Sequence, residues 1–180
     1  PRAIRVTTDG TQSLFWEFVA SVPARGVSGY AYMAPTSSDS LPVGINSQQG
    51  AKLVGMGAAG FAGQGRSVAL SADGNTAIVG GNGDNANAGA AWVWARSGGV
   101  WSQQGAKLVA NDAVGSANQG RSVALSADGN TAIVGGNGDN GSAGAAWVWT
   151  RSGGLWSQQG AKLVGTGAVG SASQGFSVAL

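Results

Sequence analysis

Apolar and polar positions alternate along this chain in short runs that return every 55 residues. In the clearest copy, residues 67–71 alternate small or polar with apolar side chains, which is the period-2 pattern of a β-strand. An Asp-Gly turn at 73–74 follows, and the β-branched run 76–79 predicts an antiparallel return. Residues 90–95 predict a third strand. After a Ser-Gly-Gly turn, a fourth is predicted from Val100 to about Val109.

The repetition is explicit at the level of sequence. The segment Ser-Gln-Gln-Gly-Ala-Lys-Leu-Val occurs at 47–54, 102–109 and 157–164. Between 66–110 and 121–165, only five of the 45 positions differ. Four antiparallel strands form a sheet too thin to bury both of its faces, so each copy must stack on a neighbour. Repeated four-stranded units of this length are typical of β-propeller blades.

We therefore predict an all-β chain of repeated four-stranded antiparallel blades, a partial β-propeller of about three blades plus one strand. The predicted divisions are a degenerate first blade at 1–46, two repeats at 47–101 and 102–156, and a truncated repeat at 157–180 whose strand is 176–180. The large area of a tryptophan favours inter-blade packing for Trp92, Trp94, Trp147 and Trp149.

Two structural alternatives stay open. An open solenoid of the same hairpins would also stack the repeats. In the first segment, residues 5–11 align with 69–75 and share the Asp-Gly turn, but residues 13–22 also fit a short helix. Propellers close with about four to eight blades. Three blades leave free strand edges, so we expect either a longer protein or self-association to complete a ring.

Composition excludes several kinds of chemistry. The sequence has 33 glycines, no histidine, no cysteine and a single glutamate, Glu17. These absences exclude disulfides, Cys/His zinc sites and Ser-His-Asp or Cys-His nucleophiles. The net charge is +2 and the basic residues are scattered singly, which argues against nucleic-acid binding. No apolar run reaches the roughly 18 residues that cross a bilayer, and no signal peptide is visible.

The motifs resemble a known family. Residues 63–70, 73–75, 79–85 and 89–94, with their equivalents 55 later, are similar to the FG-GAP repeat of integrin-α-type β-propellers, in its divergent bacterial version. The resemblance covers about 48–180. It implies a propeller of an extracellular or cell-surface protein that acts in adhesion and protein recognition.

The family's calcium loop is not matched here. Many members carry several carboxylates in the first hairpin, because Ca²⁺ takes six or more oxygen ligands. At the corresponding place only Asp73 and its copy Asp128 remain. We therefore predict no metal and no cofactor, and expect Asp73 and Asn75 to hydrogen-bond within the turn.

Candidate binding residues are repeated polar loops and outer tryptophans. They are Asn82, Asp84, Asn85, Asn137, Asp139, Asn140, Trp101 and Trp156. The loops are interpreted either as tight turns or as contacts for a protein or a sugar, and the two tryptophans either as packing residues or as platforms for sugar stacking. Since most acids are turn aspartates repeated once per unit, we predict no catalytic residues and no enzyme activity. A protein-recognition module and a lectin-like carbohydrate binder are the two functional hypotheses.

Overall fold

The computed structural model describes residues 48–180, which form one compact unit. The degenerate blade predicted at 1–46 lies outside the described residues. Two four-stranded antiparallel sheets account for almost all of the regular structure. Their strands are β1 (Ser67–Leu70), β2 (Thr76–Gly81), β3 (Ala90–Ser97) and β4 (Val100–Gln103), then β5 (Ser122–Leu125), β6 (Thr131–Gly136), β7 (Ala145–Ser152) and β8 (Leu155–Gln158).

Strand order follows chain order in both sheets, so each connection is a hairpin. The Asp-Gly turn places Leu70 opposite Ala77, and the pairing continues across the sheet to Trp94 and Gln103. Residues that face each other in an antiparallel pair lie on the same side of the sheet. The predicted all-β fold of four-stranded units is therefore confirmed.

Each sheet has two chemically different faces. In the first sheet, the face that we call the tryptophan face carries Val68, Leu70, Ala77, Trp92 and Trp94. The opposite face, here the aliphatic face, carries Ala69, Ile78, Ala91 and Val93. The second sheet has the same two faces 55 residues later.

The core lies where the second sheet covers the first. The tryptophan face of the second sheet packs on the aliphatic face of the first in a cluster that contains Trp147, Trp149, Val123, Ile78 and Val93. Trp147 is completely buried there. The inter-blade packing predicted for Trp147 and Trp149 is thus confirmed. Trp92 is equally buried, but it packs with Ala62 and Ala90.

Glycine is required where the two repeats meet. Gly80 in β2 lies against the backbone of Gly120, so a Cβ at Gly80 would overlap the Gly120 carbonyl. The Ser67 hydroxyl donates to that same carbonyl at 3.0 Å. The repeats therefore join through backbone as well as through side chains.

Two strand predictions are wrong. The fourth strand ends at Gln103 rather than near Val109, because Gly105 turns with φ +74° and returns the chain to the sheet only for a single bridge between Leu108 and Ala91. Residues 176–180 form no strand. In the two sheets the equivalent strands, β1 and β5, each pair with the next strand along the chain, and residues 176–180 make no such pairing in the structure.

Candidate functional site

Five loops are joined in sequence by backbone hydrogen bonds, and we call them the loop row. They are residues 55–63, 82–88, 110–118, 137–143 and 165–173. Asn85 donates its N–H to Ala59 O at 2.9 Å within the first repeat, and Asn118 donates to Asn87 O at 2.8 Å between repeats. Ser173 donates to Ser142 O at 2.9 Å in the same way. The row is therefore continuous across the repeats.

Buried aspartates anchor the row. Asp84 is fully buried, forms an ion pair with Lys107 and accepts the Ala59 N–H at 2.7 Å. In the second repeat, Asp139 forms an ion pair with Lys162 at 2.6 Å. We predicted both aspartates as partner-contacting residues, but their carboxylates face inward and are occupied. Burial of a charge is tolerated because each carboxylate has a cation and a backbone donor.

The asparagines on either side of these anchors are more accessible. Asn82 and Asn137 are half-buried, whereas Asn85 and Asn140 are exposed. Asn85 and Asn140 both adopt φ +47°, in short helical turns that span Asp84–Asn87 (α1) and Asp139–Ser142 (α2). Asparagine tolerates this left-handed conformation better than most residues. The proposal that these asparagines contact a partner remains a prediction.

The row has few charged residues. It contains no lysine or arginine, and its three acids are Asp84, Asp112 and Asp139. Large apolar side chains project between its small polar ones: Phe61 is 88 % exposed and Val169 is 91 % exposed. Surfaces of asparagine, serine and glycine with isolated large side chains are suited to adaptable contacts with another protein.

Sequence differences between the repeats collect in this row. Comparing 55–63 and 82–88 with their equivalents 55 later, eight of the sixteen positions differ. Over the remaining 39 positions between 64 and 109, only Ala95 and Val100 differ from their counterparts. Among the changes, Phe61 corresponds to Ser116, and Met56 corresponds to Asn111. The framework is thus kept while the loop surface varies.

The two outer tryptophans lie in grooves at the edge of the sheets. Trp156 lines a groove of about 210 Å³ together with Trp149 and Leu108, and Trp101 lines the equivalent groove of about 360 Å³ with Trp94. Arginine stacks on both rings: Arg96 lies 5.4 Å from the centroid of Trp101, and Arg151 lies 5.5 Å from that of Trp156. Both tryptophans are half-buried rather than free platforms.

Gln104, which follows β4, connects the two sheets beside one of these grooves. Its side-chain oxygen accepts from the Trp156 indole N–H at 2.9 Å and from Arg151 at 3.0 Å. The polar edge of Trp156 is therefore already satisfied within the protein. The tryptophans and the asparagine loops belong to separate parts of the repeat, so the predicted site residues do not form one cluster.

Sequence reasoning missed Asp112, which is not repeated. One carboxylate oxygen accepts from Trp147 Nε1 at 2.8 Å and from Gln158 at 3.0 Å, and the other accepts the Lys162 N–H at 2.7 Å. Burial pushes the pKa of Asp112 upward, but the three donors together outweigh it and hold the pKa below its ordinary value. Its partners lie 35 to 50 residues further along the chain.

The turn aspartates act as predicted. The Ser71 hydroxyl and the backbone N–H of Asn75 donate to Asp73, and these bonds lower its pKa to about 2. Asp128 has the same partners and a lowered pKa. Within residues 48–180, no three acidic side chains gather as metal ligands would, and no helix there is both long and apolar enough to span a bilayer.

A known family model matches part of this chain. A search of the curated proteins finds no relative. A family model for the FG-GAP repeat matches residues 101–149. The match begins in β4 of the first sheet and ends in β7 of the second, so it includes the loops at 110–118 and 137–143. The chain thus carries an FG-GAP repeat, as the sequence motifs indicated, in a β-propeller-type repeat module.

Proposed function

We propose that this chain is a non-catalytic recognition module of an extracellular or cell-surface protein, and that it binds a protein partner through the loop row. One observation carries the proposal. The two repeats are nearly identical except in the loops that hydrogen bonds join into a single surface. Variable loops on a rigid scaffold are where repeat proteins place their binding contacts.

The anchoring of the loops supports this role. Asp84 and Asp139 hold the bases of the turns through ion pairs and backbone hydrogen bonds, while Asn85 and Asn140 lie outside. Loops that are ordered before binding lose less conformational entropy when a partner docks. The anchored turns are thus suited to specific contacts.

Phe61 is the side chain that we expect to contribute most to binding. It is exposed and aromatic, and it stands where the following repeats carry Ser116 and Ser171. Aromatic side chains dominate the binding energy of many interfaces.

The experiment exchanges residues between the repeats. In Met56→Asn/Phe61→Ser, two loop residues take the identities that the second repeat carries. Val100→Leu does the same outside the row and is the matched control. Wild-type protein is used as bait against extracted surface proteins. The proposal requires that a captured protein be lost with the loop variant and kept with Val100→Leu; equal capture by both variants would contradict it.

A second candidate function is carbohydrate binding in the edge grooves. The specific observation is that equivalent grooves each contain two tryptophans, Trp94 with Trp101 and Trp149 with Trp156. Sugars stack their C–H faces on such rings. Glycan-array binding that disappears in Trp101→Ala and Trp156→Ala, but persists in Met56→Asn/Phe61→Ser, would favour the lectin over the protein-recognition module.

A further inference from the structure

The sequence contains three Asn-Gly pairs, at 82–83, 137–138 and 140–141. In such a pair the glycine nitrogen can attack Cγ of the asparagine, because glycine has no side chain to hinder the approach. The new N–C bond closes a succinimide ring, and ammonia leaves with the proton that the nitrogen gives up. Water then opens the ring to aspartate or isoaspartate. The overall reaction consumes water and needs no oxidant, reductant or enzyme.

The attacking nitrogen is engaged in two of the three pairs. Gly83 donates its N–H to Ala62 O at 3.1 Å, and Gly138 donates to Ala117 O at 3.1 Å. These bonds fix the peptide within the loop row, so the nitrogen cannot turn toward Cγ without breaking them. The neighbouring Asn82 and Asn137 are also half-buried.

The Asp-Gly pairs of the hairpin turns are held in the same way. Gly74 donates to Ser71 O, and Gly129 donates to Ser126 O, both at 2.9 Å. An aspartate followed by glycine undergoes the same ring closure with loss of water in place of ammonia. Four of the five pairs in residues 48–180 therefore have a hydrogen-bonded glycine nitrogen.

The pair Asn140-Gly141 is different. Both residues are exposed, and open space surrounds the position where a side chain at Gly141 would lie. In residues 48–180, no hydrogen bond joins the Gly141 N–H to a residue outside the short turn α2. The equivalent pair in the first repeat is Asn85-Ala86, where a methyl group stands on the residue that would attack.

We propose that Asn140 is a site of spontaneous deamidation in the folded protein, whereas Asn82 and Asn137 are protected. The reaction adds a negative charge to an exposed turn of the row, in the second repeat and not in the first. That this charge alters partner binding rests on the proposed function; the chemistry itself does not.

The test is peptide mapping by mass spectrometry after prolonged incubation of the folded chain in mildly alkaline buffer. Antibody or enzymatic detection of isoaspartate gives a second readout. Gly141→Ala restores the Asn-Ala pair of the first repeat. It is expected to fold, because Ala86 already adopts φ +53° at the equivalent position. Ala86→Gly is the reciprocal variant. A sample incubated in denaturant shows how far the three asparagines convert when the chain is unfolded.

In the folded wild type, we expect modification at Asn140 and none at Asn82 or Asn137. In denaturant all three are expected to convert together. Gly141→Ala should abolish the modification, and Ala86→Gly should create one at Asn85. Folded protein that keeps the Asn140 amide while the denatured chain loses it would overturn the proposal, as would equal conversion of all three asparagines in the folded state. Neither result bears on whether the row binds a protein, which the bait experiment decides separately.

Discussion

Val68 and Val123 occupy the same position in successive repeats, yet 68 % of Val68 is exposed and only 9 % of Val123. Their sequence neighbours are identical over 66–85 and 121–140, so local preference cannot explain the difference. Val123 lies on the tryptophan face that the first sheet covers, whereas the matching part of the first sheet has no such cover among the described residues. Burial in this chain is therefore decided by stacking between repeats.

The buried ion pair of the first loop gives a prediction with a matched control. Lys107→Met leaves the Asp84 carboxylate buried without its cation, and we expect a loss of about 3–5 kcal/mol in the free energy of unfolding. Lys52→Met alters the same repeat position where the side chain is exposed, and it should change stability by less than about 0.5 kcal/mol. Urea denaturation measures both; equal effects would argue that the pair does not anchor the loop.

The hydrogen bonds to the Asp112 carboxylate predict that the stability of the protein falls in acid. Its pKa in the folded protein lies below the ordinary value of 3.8, so its contribution is complete above that value and is lost as the pH falls through the folded pKa. Asp112→Asn removes the charge, and we expect a loss of about 1–2 kcal/mol at neutral pH from weakened hydrogen bonds.

The measurement is unfolding free energy between neutral pH and about pH 3. The difference between wild type and Asp112→Asn should shrink on acidification. Asp73 and Asp128 also have lowered pKa values, so both proteins should lose stability in acid. A difference that stays constant with pH would contradict a role for the ionised Asp112.

The strands, the hairpins and the set of residues on each face of a sheet could be predicted from the sequence because they follow from local periodicity. Alternation at 67–71 and the Asp-Gly turn specify β1, β2 and their register. The buried aspartates were harder to foresee. Asp84 and Lys107 recur together 23 residues apart in both copies, and this is the signal that could have identified their pairing.

Other features depend on contacts across the repeat and have no local signal. The fourth strand fits the pattern as far as Val109, but Gln104 leaves it and hydrogen-bonds to Trp156 of the second sheet. Asp112 occurs once, so repetition does not reveal it. The residues at 176–180 have the sequence of a strand but are not paired into a sheet in the structure.

The exposed part of the tryptophan face gives a prediction about assembly. Val68 and Leu70 are both more than half exposed, and adjacent apolar side chains of this kind favour association. We propose that the chain self-associates as its concentration rises. Val68→Asp/Leu70→Asp should lower the mass measured by light scattering, whereas Val169→Asp, an exposed apolar residue of the loop row, should leave it unchanged. A wild type that is monomeric at every concentration would contradict the proposal.

The stacking of repeats is tested most directly by the same substitution at two equivalent positions. Val123→Asp places a charge between the sheets, and Val68→Asp places it on an exposed surface. In urea denaturation, we predict a loss of about 3 kcal/mol or more for Val123→Asp and about 0.5 kcal/mol or less for Val68→Asp. Equal losses in the two variants would mean that the second sheet does not pack on the first as the structure describes.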